Sequence, residues 1–264
     1  MSYIIDEKEV DVIDSNWKYF VILDGCRYDY FKDVYKEILG NMGNLQKARS
    51  SSLGTPGWLR GTFMNRDCKD IILLTTLVKF NLKLPEHTLF KAVNVWKKGW
   101  SDSLGTTPPN AVNRAFLEEV RQHPEKRFII HYQQPHTPYI TIGGEPSNSI
   151  AQYFNTDEVK KHKKLLNLIP QSVAWTIKKW LKKSPGLPIE SYYRLHGKKG
   201  LIIVYKNEIR GVLTYVKKLI DSYPGKWIIT ADHGVTVGER GRYGQCHIDI
   251  KEVREVPWLE LDNT

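Results

Sequence analysis

Two acidic positions sit where an apolar, β-forming run stops. In YFVILDGCRYDYF the run Tyr19–Leu23 is followed by Asp24, and in GKWIITADHGVTVGERGRYG a second run leads to Asp232 and its neighbour His233. A carboxylate and an imidazole side by side at a strand end are good donors for a divalent cation, and ligands collect at the carboxyl ends of strands in open parallel sheets. Between these two points, ARSSSLGTPGWLRGTF concentrates hydroxyls at Ser51, Ser52 and Thr55. Thr55 suits a helix N-cap and Pro56 a first helical position, so the bland reading of this cluster is capping plus a polar loop. FIIHYQQPHTPYI carries His131 within an apolar run and His136 beyond it. A histidine on a buried strand is more often a satisfied core residue than a ligand. Arg27 follows Asp24 closely and can grip two phosphate oxygens at once. Its plainer fate is a surface ion pair with Asp29 or with a glutamate.

The elements that must position these residues are legible as short runs of β-branched and aromatic residues. Tyr19–Leu23, Ile71–Thr75, Ala92–Trp96, Arg127–Tyr132 and Trp227–Thr230 read as buried strands. Helical patterns lie between them, at roughly Tyr28–Leu39, Pro56–Asn65, Pro109–Gln122 and Leu201–Ser222. Alternating strands and helices predict an α/β fold whose mostly parallel sheet is sandwiched by helices. The 264 residues fit one domain, 1–264, better than two. Residues 147–199 break the rhythm and read as an inserted segment bearing an amphipathic basic helix. Val173, Ile177, Trp180 and Leu181 form its apolar face and the lysines the other. Such a helix either caps the core or meets a membrane surface or polyanion through 160–183.

Bulk composition narrows the function classes. The net charge of +10 implies an anionic partner or substrate. The charge is concentrated: Ala151–Gly200 holds 11 Lys/Arg against 3 Asp/Glu. No helix-turn-helix, zinc finger or aromatic RNA-binding signature accompanies it, so nucleic acid is not the expected partner. Three cysteines without CxxC spacing indicate neither a disulfide framework nor a thiolate zinc site. The acidic opening MSYIIDEKEVDVIDSN has no apolar run of a secretory signal. The expected location is cytoplasmic and peripheral to the membrane. An aspartyl-phosphate mechanism of the HAD type needs a second Asp two residues after Asp24; Cys26 stands there and excludes it.

Three segments, in order, resemble the sulfatase branch of the alkaline phosphatase superfamily. VILDG resembles its first metal-ligand strand, FIIHYQQPHTPYI its Pro-His-x-Pro segment, and ADHGVTVGERGRYG with EVREVPWLEL its C-terminal signature. The LDGCRYD opening is similar to that of compact archaeal members. The resemblance implies a metal-dependent hydrolase or transferase of phosphate or sulfate esters. Asp24, Asp232 and His233 would hold one divalent ion (Mn, Zn, Mg or Ca). His136 would bind the transferred group or protonate the leaving oxygen, and His247 would bind substrate or serve as a late histidine ligand. A gapless overlay puts Ser51 at the nucleophile position with Ser52 beside it, whereas Thr55–Pro56 resembles the threonine nucleophile of the phosphodiesterase branch. The substrate class would be an anionic small-molecule, lipid or glycan ester. A catalytically inactive polyanion- or membrane-binding module on the same fold is the alternative.

Two departures from the family pattern carry information. Formylglycine formation needs Pro and Arg two and four residues after the nucleophile. Counted from Ser51, Leu53 and Thr55 occupy those positions. An unmodified hydroxyl favours phosphoryl over sulfuryl transfer. Two-zinc members carry Asp and His in the helix before the last parallel strand; here YKNEIRGVLTYVKK offers only Asn207 and Glu208, which points to one metal.

Overall fold

The computed structural model describes residues 2–78, 88–144, 170–183 and 188–264. In chain order the strands are β1 (Ser2–Ile5), β2 (Lys8–Asp11), β3 (Tyr19–Leu23), β4 (Asn44–Ser50), β5 (Cys68–Thr75), β6 (Leu89–Asn94), β7 (Arg127–Tyr132), β8 (Lys226–Thr230), β9 (Thr236–Val237), β10 (Tyr243–Gly244) and β11 (Glu255–Asp262). The helices are α1 (Tyr28–Leu39), α2 (Thr55–Phe63), α3 (Trp96–Gly99), α4 (Pro109–Gln122), α5 (Gln171–Trp180), α6 (Pro188–Ser222) and α7 (Lys251–Arg254). α6 is broken at Gly197, which has a positive φ of 64°.

A nine-stranded sheet runs β2-β1-β4-β11-β8-β3-β7-β5-β6. From β8 to β6 every pairing is parallel, whereas the β2-β1-β4-β11 flank pairs antiparallel. β3 is wholly buried in the parallel block, which is why it reads as a continuous apolar run. Aromatic residues lock the lower end of this block. Tyr19 stacks on Trp227 at 4.2 Å and meets Phe116 of α4 edge-on at 5.7 Å, geometries favoured by the ring quadrupole.

Most expected elements occur where the periodicity places them, with informative exceptions. Ala92–Trp96 is not a buried strand. The strand is Leu89–Asn94, mostly exposed at the sheet edge, and Trp96 opens a short helix. Gly54, not Thr55, is the N-cap of α2, so Thr55 is its first helical residue. The β1–β2 hairpin and β4 have no counterpart in the sequence reading. The expected insertion at 147–199 falls partly outside the described residues, at 145–169 and 184–187. Its amphipathic helix is α5, but the burial is reversed. Val173, Ile177, Trp180 and Leu181 are exposed, and Trp175 faces the protein at 3% exposure.

Candidate active site

β8, β3 and β7 are neighbours, parallel and in register, with Ile22 opposite both Thr230 and His131. They therefore end at one edge of the sheet. Chain order reverses across β3, since its neighbours on the two sides come from much later, separate segments; this is the kind of crevice where α/β folds bind ligands. Asp24, His131, Asp232 and His233 meet there, all buried. One donor atom from each of Asp24, His131 and Asp232 lies within 4.8 Å of the others. His233 Nε2 is 3.5 Å from Asp24 Oδ1 and 3.6 Å from Asp232 Oδ2, and His131 Nε2 is 3.7 Å from Asp24 Oδ2.

The surrounding hydrogen bonds aim these donors inward. Asp232 Oδ1 accepts the backbone N–H groups of Gly25 and His233, leaving Oδ2 toward the cluster. His233 Nδ1 donates to Gly234 O at 2.7 Å, which turns Nε2 to the centre. His131 Nδ1 lies 3.2 Å from Thr76 Oγ1 and 3.4 Å from Thr75 Oγ1. Asp24 Oδ1, Asp232 Oδ2 and His131 Nε2 are buried without any hydrogen-bond partner. Buried polar atoms are nearly always satisfied, and buried unpaired carboxylates are costly. Two carboxylates and two imidazoles converging in this way fit a divalent ion. Electrostatics point the same way. Burial alone depresses the His233 imidazole, but Asp232 and then Asp24 outweigh it and lift its pKa to about 9. Burial pushes Asp24 upward, yet the neighbouring His136, His131 and His233 imidazoles hold its carboxyl below the usual range. The cluster attracts positive charge.

Glycine is required at the turn after Asp24. Gly25 has φ +67°, and a Cβ there would fall 2.9 Å from Val235, 3.5 Å from His136 and 3.7 Å from His233. His136 is thereby placed beside the cluster. Its Nδ1 donates to Thr137 O at 2.7 Å, leaving Nε2 available. A small cavity is lined by His136, Tyr139, Tyr205, Val235 and Gln245. Tyr205 fixes its wall by donating to Gly25 O and accepting from Arg27 N, at 2.6 and 3.0 Å.

The three candidate hydroxyls separate clearly. Ser51 is exposed on the bend after β4. Ser52 is tied up locally: its Oγ donates to Gly54 O at 2.7 Å and accepts from Gly54 N at 3.2 Å. Thr55 is buried at the N-terminus of α2, with no side-chain hydrogen bond among the described residues. That N-terminus borders the cluster through Gln245, whose Nε2 lies 3.5 Å from His233 Nε2 and 3.2 Å from where a Gly54 Cβ would sit. His247 sits on the same lip, its Nδ1 donating to Leu53 O at 3.2 Å. It is exposed and borders the α2 N-terminus, without a contact to the cluster.

Two residues differ from expectation. Arg27, expected to grip substrate, spends its guanidinium on protein. Its Nε and Nη2 donate to Asp29, and its Nη1 to Glu239 Oε1 and Val235 O. The plainer reading of an Arg27–Asp29 pair applies, extended by Glu239. His131 joins the cluster instead of being a satisfied core histidine, because the strand end turns its Nε2 to Asp24. Ser50, missed in the sequence, donates to Asp232 O at 2.5 Å and fastens β4 to the cluster. Its only signal is its position at the end of a polar, alternating stretch.

No protein-family model matches the chain, and no curated protein sequence does. Solved structures do. An integral membrane lipooligosaccharide phosphoethanolamine transferase from Neisseria meningitidis superposes with a TM-score of 0.61 at 14% identity, over 100% of this chain and 50% of that one. The C-terminal periplasmic domain of EcEptC from Escherichia coli, solved in complex with Zn, gives 0.56 at 15% identity over 96% and 75%. A candidate sulfatase from Bacteroides fragilis gives 0.52 at 13% identity over 94% and 68%. The chain has the alkaline phosphatase/sulfatase-type fold. It spans half the length of the Neisseria transferase. The four buried donors converge at the sheet edge that bears Asp24 and Asp232.

Proposed function

We propose that the protein is a metal-dependent phosphoryl-transfer enzyme, a hydrolase or transferase acting on phosphate esters with Thr55 as nucleophile. The observation that carries this reading is the convergence of partnerless Asp24 Oδ1, Asp232 Oδ2 and His131 Nε2 beside His233 Nε2. Asp24, Asp232, His233 and His131 would hold one divalent ion, which supplies charge neutralisation for the ester and acidifies a nearby hydroxyl. Thr55 sits at a helix N-terminus, where unpaired N–H groups and the helix dipole favour an anionic ester and an ionising hydroxyl. Thr55 first loses its hydroxyl proton to solvent; its Oγ1 alkoxide then attacks phosphorus as the bond from phosphorus to the ester oxygen breaks, leaving a phosphothreonine. His136, held by its Nδ1 bond to Thr137 O, has Nε2 free to donate a proton to that leaving oxygen. Water or an alcohol acceptor then takes the phosphoryl group, and His136 accepts its proton. Phosphate is favoured over sulfate because the formylglycine pattern is lacking. Structural neighbours that are lipooligosaccharide phosphoethanolamine transferases support an anionic lipid or glycan ester as substrate.

The deciding experiment is metal analysis of the purified protein with a panel of nitrophenyl phosphate, phosphodiester, phosphonate and sulfate. The expected outcome is stoichiometric metal and turnover of a phosphate ester. Thr55→Ala should lose at least about a thousandfold in kcat, with Ser51→Ala near wild type. Bound metal with no turnover of any ester would favour an inactive binding module. Full activity in Thr55→Ala would remove Thr55 from the mechanism.

A further inference from the structure

α5 sits on the protein the wrong way round for a capping helix. Its inner side is Gln171, whose Oε1 accepts Tyr243 N at 2.6 Å, and Trp175, packed on Tyr243 and Tyr193 with centroids 5.0 and 5.2 Å apart. Lys178 lies on the same side and reaches Glu190 at 3.2 Å. The other side carries Val173, Ile177, Trp180 and Leu181 at the spacing of one helical stripe, exposed by 46, 45, 82 and 50%. Leu195, 77% exposed, flanks the end of this stripe. It follows Arg194, whose carbonyl accepts Lys179 Nζ at 3.1 Å and whose Nη1 donates to Lys183 O at 2.8 Å. Residues 170–183 include four lysines, Lys178, Lys179, Lys182 and Lys183, and no Asp or Glu.

We infer that α5 is a docking surface for an anionic lipid bilayer, lying in the headgroup plane with Val173, Ile177, Trp180 and Leu181 inserted. Charge and size select this occupant. A ten-residue helix is about 15 Å long, and one stripe of four side chains is far below the area that a specific protein–protein interface needs. A bilayer rewards such a stripe, because acyl chains accept apolar side chains without shape complementarity and anionic headgroups attract the flanking lysines. Lysine stems can lie along the apolar boundary while their ammonium groups stay among the headgroups. Trp is the residue type that accumulates at that boundary. Among the described residues no helix is long and apolar enough to cross a membrane, so this contact lies on the surface. The helix is also coupled to the active site: Tyr243, which it holds by hydrogen bond and ring contact, is two residues from Gln245 on the site's lip.

Vesicle flotation of the full chain tests this, with phosphatidylcholine alone against phosphatidylcholine mixed with phosphatidylglycerol, at low and high salt. Wild type should float with the mixed vesicles at low salt and much less with phosphatidylcholine. Replacing Val173, Ile177, Trp180 and Leu181 by Ser should weaken binding by about tenfold or more, with an unchanged circular dichroism spectrum since these side chains are exposed. Lys179→Glu with Lys182→Glu and Lys183→Glu should abolish the preference for phosphatidylglycerol. Wild type that stays in the dense fraction with both vesicles, or a serine variant that floats equally well, would overturn the proposal. So would sedimentation showing that the serine variant converts a dimer to monomer, which would make the occupant a second copy. The outcome is separable from the proposed chemistry: Thr55→Ala should float like wild type, and the serine variant should turn over a soluble phosphodiester at the wild-type rate.

Discussion

Two buried ionic groups share the turn after β3, and they are built on opposite principles. Arg27, 5% exposed, meets Asp29 and Glu239 in a set where each charge has an opposite charge in hydrogen-bond range, and it lies over the Tyr30 ring at 4.6 Å. Asp24, Asp232, His131 and His233 form a set with surplus negative charge and three partnerless donor atoms. Both contain buried charge and both perturb pKa. Burial opposes the Arg27 charge, but Asp29 and then Glu239 prevail and raise its pKa. A shifted pKa therefore does not mark the active site here; incomplete satisfaction does. The completed set ties α1 to the loop that carries Val235 through Glu239. The incomplete set is held open by backbone donors that leave one oxygen of Asp232 pointing inward.

The strongest test of that contrast removes one member from each set. Asp232→Ala should abolish bound metal and turnover together, the latter by at least about a thousandfold. In wild type, metal at about a hundredfold excess over its Kd should add roughly 2.7 kcal/mol of stability, and this gain should vanish in the variant. Metal stoichiometry by elemental analysis and thermal shift with and without added metal check both. Retained metal in Asp232→Ala would contradict the ligand assignment. Arg27→Ala should behave in the opposite sense. It strands Glu239 and frees Asp29, at a stability cost of about 3 kcal/mol, discounted from a fully buried pair because Asp29 is half exposed. Below its lowered melting temperature the variant should still bind one metal. Denaturant midpoints give the first quantity and elemental analysis the second. Loss of metal with normal stability would mean that Arg27 belongs to the site and not to its frame.

How legible each part was follows from the same physics. Parallel strands buried on both faces show as continuous apolar runs, so Tyr19–Leu23 and Arg127–Tyr132 have the expected bounds. The acids that follow such runs stand out for the same reason. β4 does not, because NLQKARS lies in the antiparallel flank with only Ala48 and Ser50 buried. Ser50 was missed with it. The sequence left Arg27 open between substrate and an ion pair and read His131 as a core residue, because their surroundings depend on residues distant in sequence, Glu239 for one and Asp24 for the other. Local pattern reports a residue's face and leaves its partner open. α5 shows the limit most plainly: its amphipathicity was visible, but which side meets the protein is decided by Trp175 finding Tyr193 and Tyr243.

Glu208 supplies an intermediate case that sharpens the comparison. It is a buried acid on α6 whose Oε1 accepts the amide of Thr141 at 2.6 Å and also its hydroxyl, while Oε2 has no partner. Unlike Asp24 and Asp232, it has no second acid or imidazole within the described donor cluster. A single partnerless oxygen should then mark a tolerated cost and not a ligand site. Burial raises the Glu208 pKa above its ordinary 4.5, only partly opposed by the two Thr141 bonds. The folded pKa exceeds the unfolded one. The group's favourable contribution is therefore complete below about 4.5 and is lost as pH rises through the raised folded value. Above that raised value the ionised carboxylate is a liability. Glu208→Gln keeps an acceptor for Thr141 without the charge, and should be equal to or more stable than wild type by about 1 kcal/mol near pH 8. That advantage should shrink as pH falls toward 4.5. Urea denaturation across this range measures it. A glutamine variant markedly less stable at pH 8 would mean that Oε2 has a cationic partner, and the rule separating one partnerless oxygen from a converging set would fail.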